Sequence, residues 1–213
     1  MTLRIACLHT VDSNIAVFVA ASQGLDVALS HHVRSDLLSR SEAAGGLTAE
    51  IRDEAAGLLR GMAEGVDAVL LTCSTVGPAA EQAAIGAGIP ILRVDGALAK
   101  QAVAAAAAGS KRVIALCAVQ TTVEPTRILF EREAAGTGVA IDMRIAEGAW
   151  AAFKSGDTPG YHRLVAEAAD ALYAAGADVI ALAQASMAGG AALCRNGTPL
   201  TSPAAGLAAA GKD

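Results

Sequence analysis

Aromatic side chains are scarce, at 3% of 213 residues, and positive charge is too: 16 Lys and Arg stand against 21 Asp and Glu, with no basic block. A nucleic-acid surface needs a cationic face and usually stacking rings, so that class of partner is excluded. No stretch reaches the roughly 18 uninterrupted apolar residues that a membrane span requires. The apolar run in the first ten residues is too short for a secretory signal and has no small-residue cleavage site, so a soluble, cytoplasmic protein is expected. The four cysteines (Cys7, Cys73, Cys117 and Cys194) are scattered with no CxxC pair, and in that compartment they are expected to be reduced. HExxH, Walker A and GxGxxG are all missing, which removes the usual signals for zinc, ATP and dinucleotide sites. No metal is expected: His31 and His32 are adjacent, so on a strand they point to opposite faces and cannot share one ion.

What is abundant is small apolar residues. Apolar types make up 54% of the chain, much of it Ala, and mean hydropathy is +0.45, enough for a sizeable core. Within that background one pattern occurs twice. Gly65–Pro78 reads GVDAVLLTCSTVGP and Gly176–Ser186 reads GADVIALAQAS, each residue of the second standing 111 positions after its counterpart. Asp67 meets Asp178, Leu71 meets Leu182, Thr75 meets Ser186, and Cys73 meets Gln184. Arg112–Leu116 likewise repeats Arg4–Leu8 at an offset of 108, and Gly197–Leu200 echoes Gly88–Ile91 at 109. Matched segments in the same order indicate an internal duplication.

The short apolar runs read as strands at Leu3–Leu8, Asp26–Ser30, Asp67–Cys73, Ile89–Val94, Arg112–Leu116, Val139–Met143 and Asp178–Gln184. Helical patterns lie between them, with Thr48 opening a long amphipathic helix, Pro78 falling in a first turn, and Ser13 or Asn14 a natural N-cap for a helix through Ala21. His9–Asn14 is read as a polar turn, the segment from His31 to Asp36 as polar, and Ser41–Thr48 as a Gly-containing loop. Strands alternating with helices predict an α/β protein with parallel sheets covered on both faces. The duplication favours two similar lobes, each a four-stranded parallel sheet, over one continuous eight-stranded sheet. The expected division is residues 1–96 with 200–213 against 97–199. Ligands in such folds bind beyond the carboxyl ends of the strands, which predicts a cleft shared by the strand tips of both halves.

Cys73 lies at such a tip, ahead of a helix whose free N–H groups favour a thiolate. A thiolate there can take or give a proton, or add to a substrate carbon. The plain alternative is a small buried residue, which is how Cys7 and Cys117 read within their apolar strands; Cys194, late in a helix, also reads as structural. Ser13, Asn14, Ser74, Thr75, Thr121, Thr122 and Ser186 all fall after strands and before helices, where hydroxyls and backbone N–H groups make a place for a carboxylate. Each alone is as readily an N-cap. Asp12, His9, His31 or His32 can supply a second proton-transfer group, although a turn Asp is commonly just solvated. His162, on an amphipathic helix, reads as a surface residue.

The segments TCSTVGPAAE around Cys73, Thr121-Thr122, and LAQASMA from Leu182 to Ala188, set in a duplicated chain, resemble the aspartate/glutamate racemase superfamily, which includes hydantoin racemases, maleate isomerase and arylmalonate decarboxylase. The resemblance covers essentially the whole chain. It implies an enzyme of racemase or isomerase type that needs no cofactor and acts on a small-molecule carboxylate. It also implies two facing catalytic cysteines, with hydroxyls and backbone amides holding the substrate carboxylate. Cys73 matches the first cysteine; Ser13, Asn14, Thr75, Thr121, Thr122 and Ser186 match ligand-holding positions. The second cysteine position holds Gln184, a non-acidic replacement that cannot move a proton, so inversion by two thiols is not available. A single thiol suits proton transfer on one face, as in a decarboxylase or a lyase, with Gln184 expected to donate a hydrogen bond to the substrate. The reading from a different class is a small-acid binding protein that kept the cleft and lost the chemistry. A homo-oligomer is expected in either case.

Overall fold

The computed structural model describes residues 2–211. The chain divides into two compact units, Met1–Ala97 with Pro203–Asp213, and Leu98–Ser202. The first carries β1 (Leu3–His9), α1 (Ser13–Ala21), β2 (Val27–Val33), α2 (Ser35–Ala43), α3 (Ala49–Gly61), β3 (Ala68–Leu71), α4 (Pro78–Ala84) and β4 (Ile91–Arg93). Helix α5 (Val94–Ala107) carries the chain into the second unit. There follow β5 (Arg112–Cys117), α6 (Val123–Ala134), β6 (Ala140–Ile145), α7 (Ala149–Lys154), α8 (Thr158–Ala174), β7 (Val179–Leu182), α9 (Ala188–Ala191) and β8 (Leu200–Thr201), and then α10 (Ser202–Ala210).

Each unit is built on its own four-stranded parallel sheet, ordered β2-β1-β3-β4 in the first and β6-β5-β7-β8 in the second. The alternative of one eight-stranded sheet is thereby overturned. The repeat extends to individual backbone bonds. Thr72 N–H donates to Leu8 O at 3.0 Å and Ala183 N–H to Leu116 O at 2.9 Å; Arg34 N–H donates to His9 O at 2.9 Å and Ala146 N–H to Cys117 O at 2.8 Å.

The central strands β1, β3, β5 and β7 are apolar because both of their faces are covered. Ala6, Leu8, Val69 and Leu71 pack with Leu37 of α2, Ile51, Ala55 and Leu59 of α3, and Ala79 and Ala83 of α4. Ile5, Cys7 and His9 alternate onto the opposite face, where the ring of Phe18 from α1 meets His9 edge-on at 5.5 Å between centroids. In the second unit Ile114, Leu116, Ile180 and Leu182 pack against Tyr161, Val165 and Ala169 of α8. Each fully buried Leu or Ile contributes roughly 1.5–3 kcal/mol relative to exposure, so these layers fix which way every strand faces.

Several local expectations are corrected. His9 belongs to β1 rather than to a turn, because parallel pairing with β2 runs on to His9↔Val33. For the same reason His31 and His32 lie within β2, an edge strand that leaves Ala28, Ser30 and His32 exposed and turns His31 toward His9. Helix α1 has Asp12 as its N-cap, without a side-chain bond, so neither Ser13 nor Asn14 caps it. Ser35–Ala43 is helical where a polar segment and a loop were expected, held by Leu37 and by the buried Ser41, whose hydroxyl donates to Leu37 O at 2.7 Å. Thr48 does cap α3, its side chain accepting from Ile51 N–H at 3.3 Å. Cys194 lies beyond the end of α9 rather than late in a helix, and its thiol donates to Gly190 O at 3.5 Å.

Candidate functional site

In both sheets the chain first steps to one side, β1 to β2 and β5 to β6, and then returns to the other, β1 to β3 and β5 to β7. The crevice where direction reverses lies between the carboxyl ends of β1 and β3, and again between those of β5 and β7; ligands of open α/β sheets bind at such places. Most of the sequence-selected residues are gathered there. Asp12, Ser13 and Asn14 follow β1, and Cys73, Ser74 and Thr75 follow β3; Thr121 and Thr122 follow β5, and Gln184 and Ser186 follow β7.

At the first crossover Cys73, Ser74 and Thr75 are half-buried, Asp12 and Ser13 exposed, and Asn14 buried. The Cys73 side chain packs, partly buried, on the rim of the core that β1 and β3 form with α2, α3 and α4. A turn, Ser74–Gly77, separates it from α4, which begins only at Pro78 and runs for seven residues. The buried Asn14 Oδ1 has no hydrogen-bond partner among the described residues. A buried polar atom left unsatisfied costs roughly 1–3 kcal/mol, which makes it a natural point for a ligand donor.

The histidine expected at this tip lies inside the unit instead. His9 is fully buried, its Nδ1 is 2.9 Å from Thr72 Oγ1, and its Nε2 is 2.9 Å from His31 Nδ1. The Thr72 hydroxyl donates to Leu8 O at 3.2 Å, so it accepts from His9 Nδ1–H, leaving Nε2 to accept from His31 Nδ1–H. Burial first, and then the charges of His31 and His32, lower the His9 pKa to about 4, so the ring is neutral near pH 7. With both nitrogens engaged, His9 is not presented to a substrate. His32, the neighbour on β2, is exposed on the other face.

At the second crossover Gln184 is half-buried and tied at both ends. Its Oε1 accepts from Ala118 N–H at 2.8 Å, and its Nε2 donates to Thr122 Oγ1 at 2.7 Å. Thr122 in turn donates to Val119 O at 2.9 Å. The amide thus bridges the ends of β7 and β5, rather than standing free to address a ligand. Ser186 is engaged too: its hydroxyl is 2.9 Å from the Tyr161 OH, and its carbonyl accepts from His162 Nε2 at 3.2 Å. His162 is accordingly half-buried rather than a surface residue, and a Cβ on Gly189 would fall 2.3 Å from its ring. Thr121 is exposed. Replacing Gln184 by Leu removes both bonds and is expected to lower stability by about 1 kcal/mol, half-burial letting water reach the freed groups. Chemical denaturation measures it; an unchanged midpoint would mean the bridge contributes nothing.

The remaining thiols differ from Cys73. Cys7 and Cys117 are fully buried, burial raising the first to about 12 and raising the second against partial compensation from Thr122 and Thr126. Thr72 and Tyr161 were missed in the sequence and His162 was read as a surface residue, since nothing local marks a partner that lies 63, 25 or 24 residues away.

Among solved structures, a glutamate racemase isoform of Bacillus anthracis is similar over 97% of this chain and 80% of its own, at 14% identity and a TM-score of 0.62. A glutamate racemase of Thermus thermophilus, in complex with beta-chloro-D-alanine, is similar over 98% and 79%, at 17% identity and 0.59. A maleate isomerase of Pseudomonas putida, with maleate, is similar over 97% and 90%, at 15% identity and 0.59. No match was found among curated proteins. At such identities the structural likeness establishes the fold, two lobes of α/β build. Residues 13–210 match the family model described as Asp/Glu/hydantoin racemase, and the chain therefore belongs to that family.

Proposed function

We propose that this protein is a cofactor-independent enzyme of racemase or isomerase type that transfers a proton at carbon beside the carboxylate of a small substrate, using Cys73 as its single acid–base thiol. The observation that supports it is the contrast between two equivalent crossovers. One presents a half-buried thiol with hydroxyls of Ser13, Ser74 and Thr75 and the amide of Asn14 around the same strand ends; the other is closed by an amide bonded within its own unit. The glutamate racemases and the maleate isomerase of like fold are named for small carboxylates, which is the substrate class proposed here. Ser74 and Thr75 hydroxyls hold the carboxylate and the enediolate oxygen that develops from it, where fixed donors act most strongly on forming charge. Cys73 takes the proton from carbon or delivers it.

A thiol on one side serves one face. The engaged amide of Gln184 therefore favours exchange, decarboxylation or isomerisation on one face over inversion. Incubating the protein in D2O with a panel of chiral small carboxylates and dicarboxylates tests this by NMR and chiral chromatography. Deuterium at the α-carbon with configuration retained, or a decarboxylated product labelled on one face, is the expected result. Exchange accompanied by inversion at the same rate requires a second acid–base group and overturns the single-thiol mechanism. Absence of turnover with ligand binding retained leaves the small-acid binding reading standing in its place.

A further inference from the structure

Strands β1 and β2 bring three metal-binding side chains onto one face of the first sheet. Cys7 and His9, two residues apart on β1, point the same way, and the parallel register sets His31 directly opposite Cys7. Their donor atoms, one thiol sulfur and two ring nitrogens, all lie within 4.8 Å of one another. We propose that Cys7, His9 and His31 form a binding site for a zinc ion, held by Cys7 Sγ, His9 Nε2 and His31 Nδ1.

One thiolate and two imidazoles suit a borderline-soft first-row ion, zinc or copper, and do not suit calcium or magnesium, which take oxygen. Ring orientation is already set. Thr72 Oγ1 accepts from His9 Nδ1–H at 2.9 Å while donating to Leu8 O, so the lone pair of His9 Nε2 faces His31. A hydrogen-bonded partner on the far nitrogen is what orients zinc-ligating histidines in general. Tetrahedral bonds of about 2.0–2.1 Å to nitrogen place two such nitrogens about 3.3 Å apart. The present His9 Nε2 to His31 Nδ1 separation is 2.9 Å, and a ring rotation of a few tenths of an ångström at half-exposed His31 supplies the difference. The ion replaces the proton now shared by the two rings. The His31 proton passes from Nδ1 to Nε2, Cys7 loses its thiol proton, and one proton is released for each ion bound.

The site is independent of the chemistry proposed at Cys73, which follows Thr72 in the chain but contributes none of the three donors. The test uses the full chain, stripped with chelator and titrated with Co(II), whose thiolate charge-transfer and tetrahedral ligand-field bands report the donors; Zn(II) is then added as competitor. One Co(II) per chain, with a sulfur band that Zn(II) removes, is the expected result. Cys7→Ala abolishes that band. His31→Gln, at a half-exposed position where folding is tolerant, weakens binding at least ~10-fold, as does Thr72→Val through loss of the orienting bond. Cys73→Ser leaves the band intact even where turnover is lost, which separates this proposal from the enzymatic one. No band at ~1 mM Co(II) overturns the site. So does a band that survives His31→Gln and Thr72→Val at full affinity, or one that disappears only with Cys73→Ser or Cys194→Ser.

Discussion

Replacing Cys73 by Ser is expected to lower turnover by ~10²–10⁴, the range that one positioned acid–base group supplies, while leaving substrate affinity and the melting transition unchanged. The substitution changes one atom, at a half-buried position on the rim of the core, so packing is nearly conserved. A serine hydroxyl keeps hydrogen-bonding capacity but does not ionise where a thiol does, so binding survives and proton transfer fails. No other thiol can substitute. Cys7 and Cys117 are sealed within β1 and β5, and Cys194 is bonded to Gly190 O with its pKa raised by burial and by Asp170. Steady-state kinetics on the substrate found by solvent exchange provides the measurement. A fall confined to KM would make Cys73 a binding residue, and turnover within a few-fold of wild type would remove it from the mechanism.

That position was legible in the sequence because the chain carries its own alignment. Asp67, Leu71 and Thr75 against Asp178, Leu182 and Ser186 mark both strands, both carboxyl ends and the exchange of thiol for amide. Runs of five to seven residues, most of them following a glycine, were enough to find seven strands, and the central ones, buried on both faces, lose the polar alternation that would blur them. Helix α2 was not legible, because SDLLSRSEA turns inward only Leu37 and Ser41 and its other residues could equally be solvated loop. The His31-His32 pair was read outside the strand for a related reason: polar residues on an edge strand with one open face read as a polar connecting segment until the partner strand is known. Long-range polar partners were invisible in principle. Gln184 finds Ala118 and Thr122 at separations of 66 and 62 residues, and His9 finds Thr72 at 63. Duplication predicts where such residues stand in their own halves but not what they bond to. Once the copies diverged, Thr72 was matched by Ala183 and His9 by Cys117, so the same backbone came to hold different polar pairs.

Replacing Arg93 by Met is expected to cost about 3–5 kcal/mol, the penalty for removing one partner of a buried ion pair. Arg93 ends β4 and Asp95 lies in the first turn of α5; their side chains are only 12% and 8% exposed. The guanidinium donates through Nε and Nη2 to the two carboxylate oxygens, at 2.8 Å each, and through Nη1 to Glu81 of α4 at 2.9 Å. Without it the Asp95 carboxylate keeps the Gly96 N–H at 3.0 Å and faces a low-dielectric interior otherwise uncompensated. Since whole domains are stable by only about 5–15 kcal/mol, the loss takes a large share of the total. The pair also bears on the candidate site. A Cβ on Gly77 would fall 2.4 Å from Arg93 Nη2, so the guanidinium lies flat against the turn that carries Ser74 and follows Cys73. Two bonds to Asp95 fix the arginine there, which makes glycine at position 77 a requirement of space, its φ of −44° being open to any residue. Urea unfolding of Arg93→Met, Asp95→Leu and the double variant separates burial from pairing. The double variant is expected to be more stable than either single one, because no charge is left stranded. If Arg93→Met costs less than about 1 kcal/mol, water reaches the pair as it does an exposed salt bridge, and its hold on the Cys73 turn is weak.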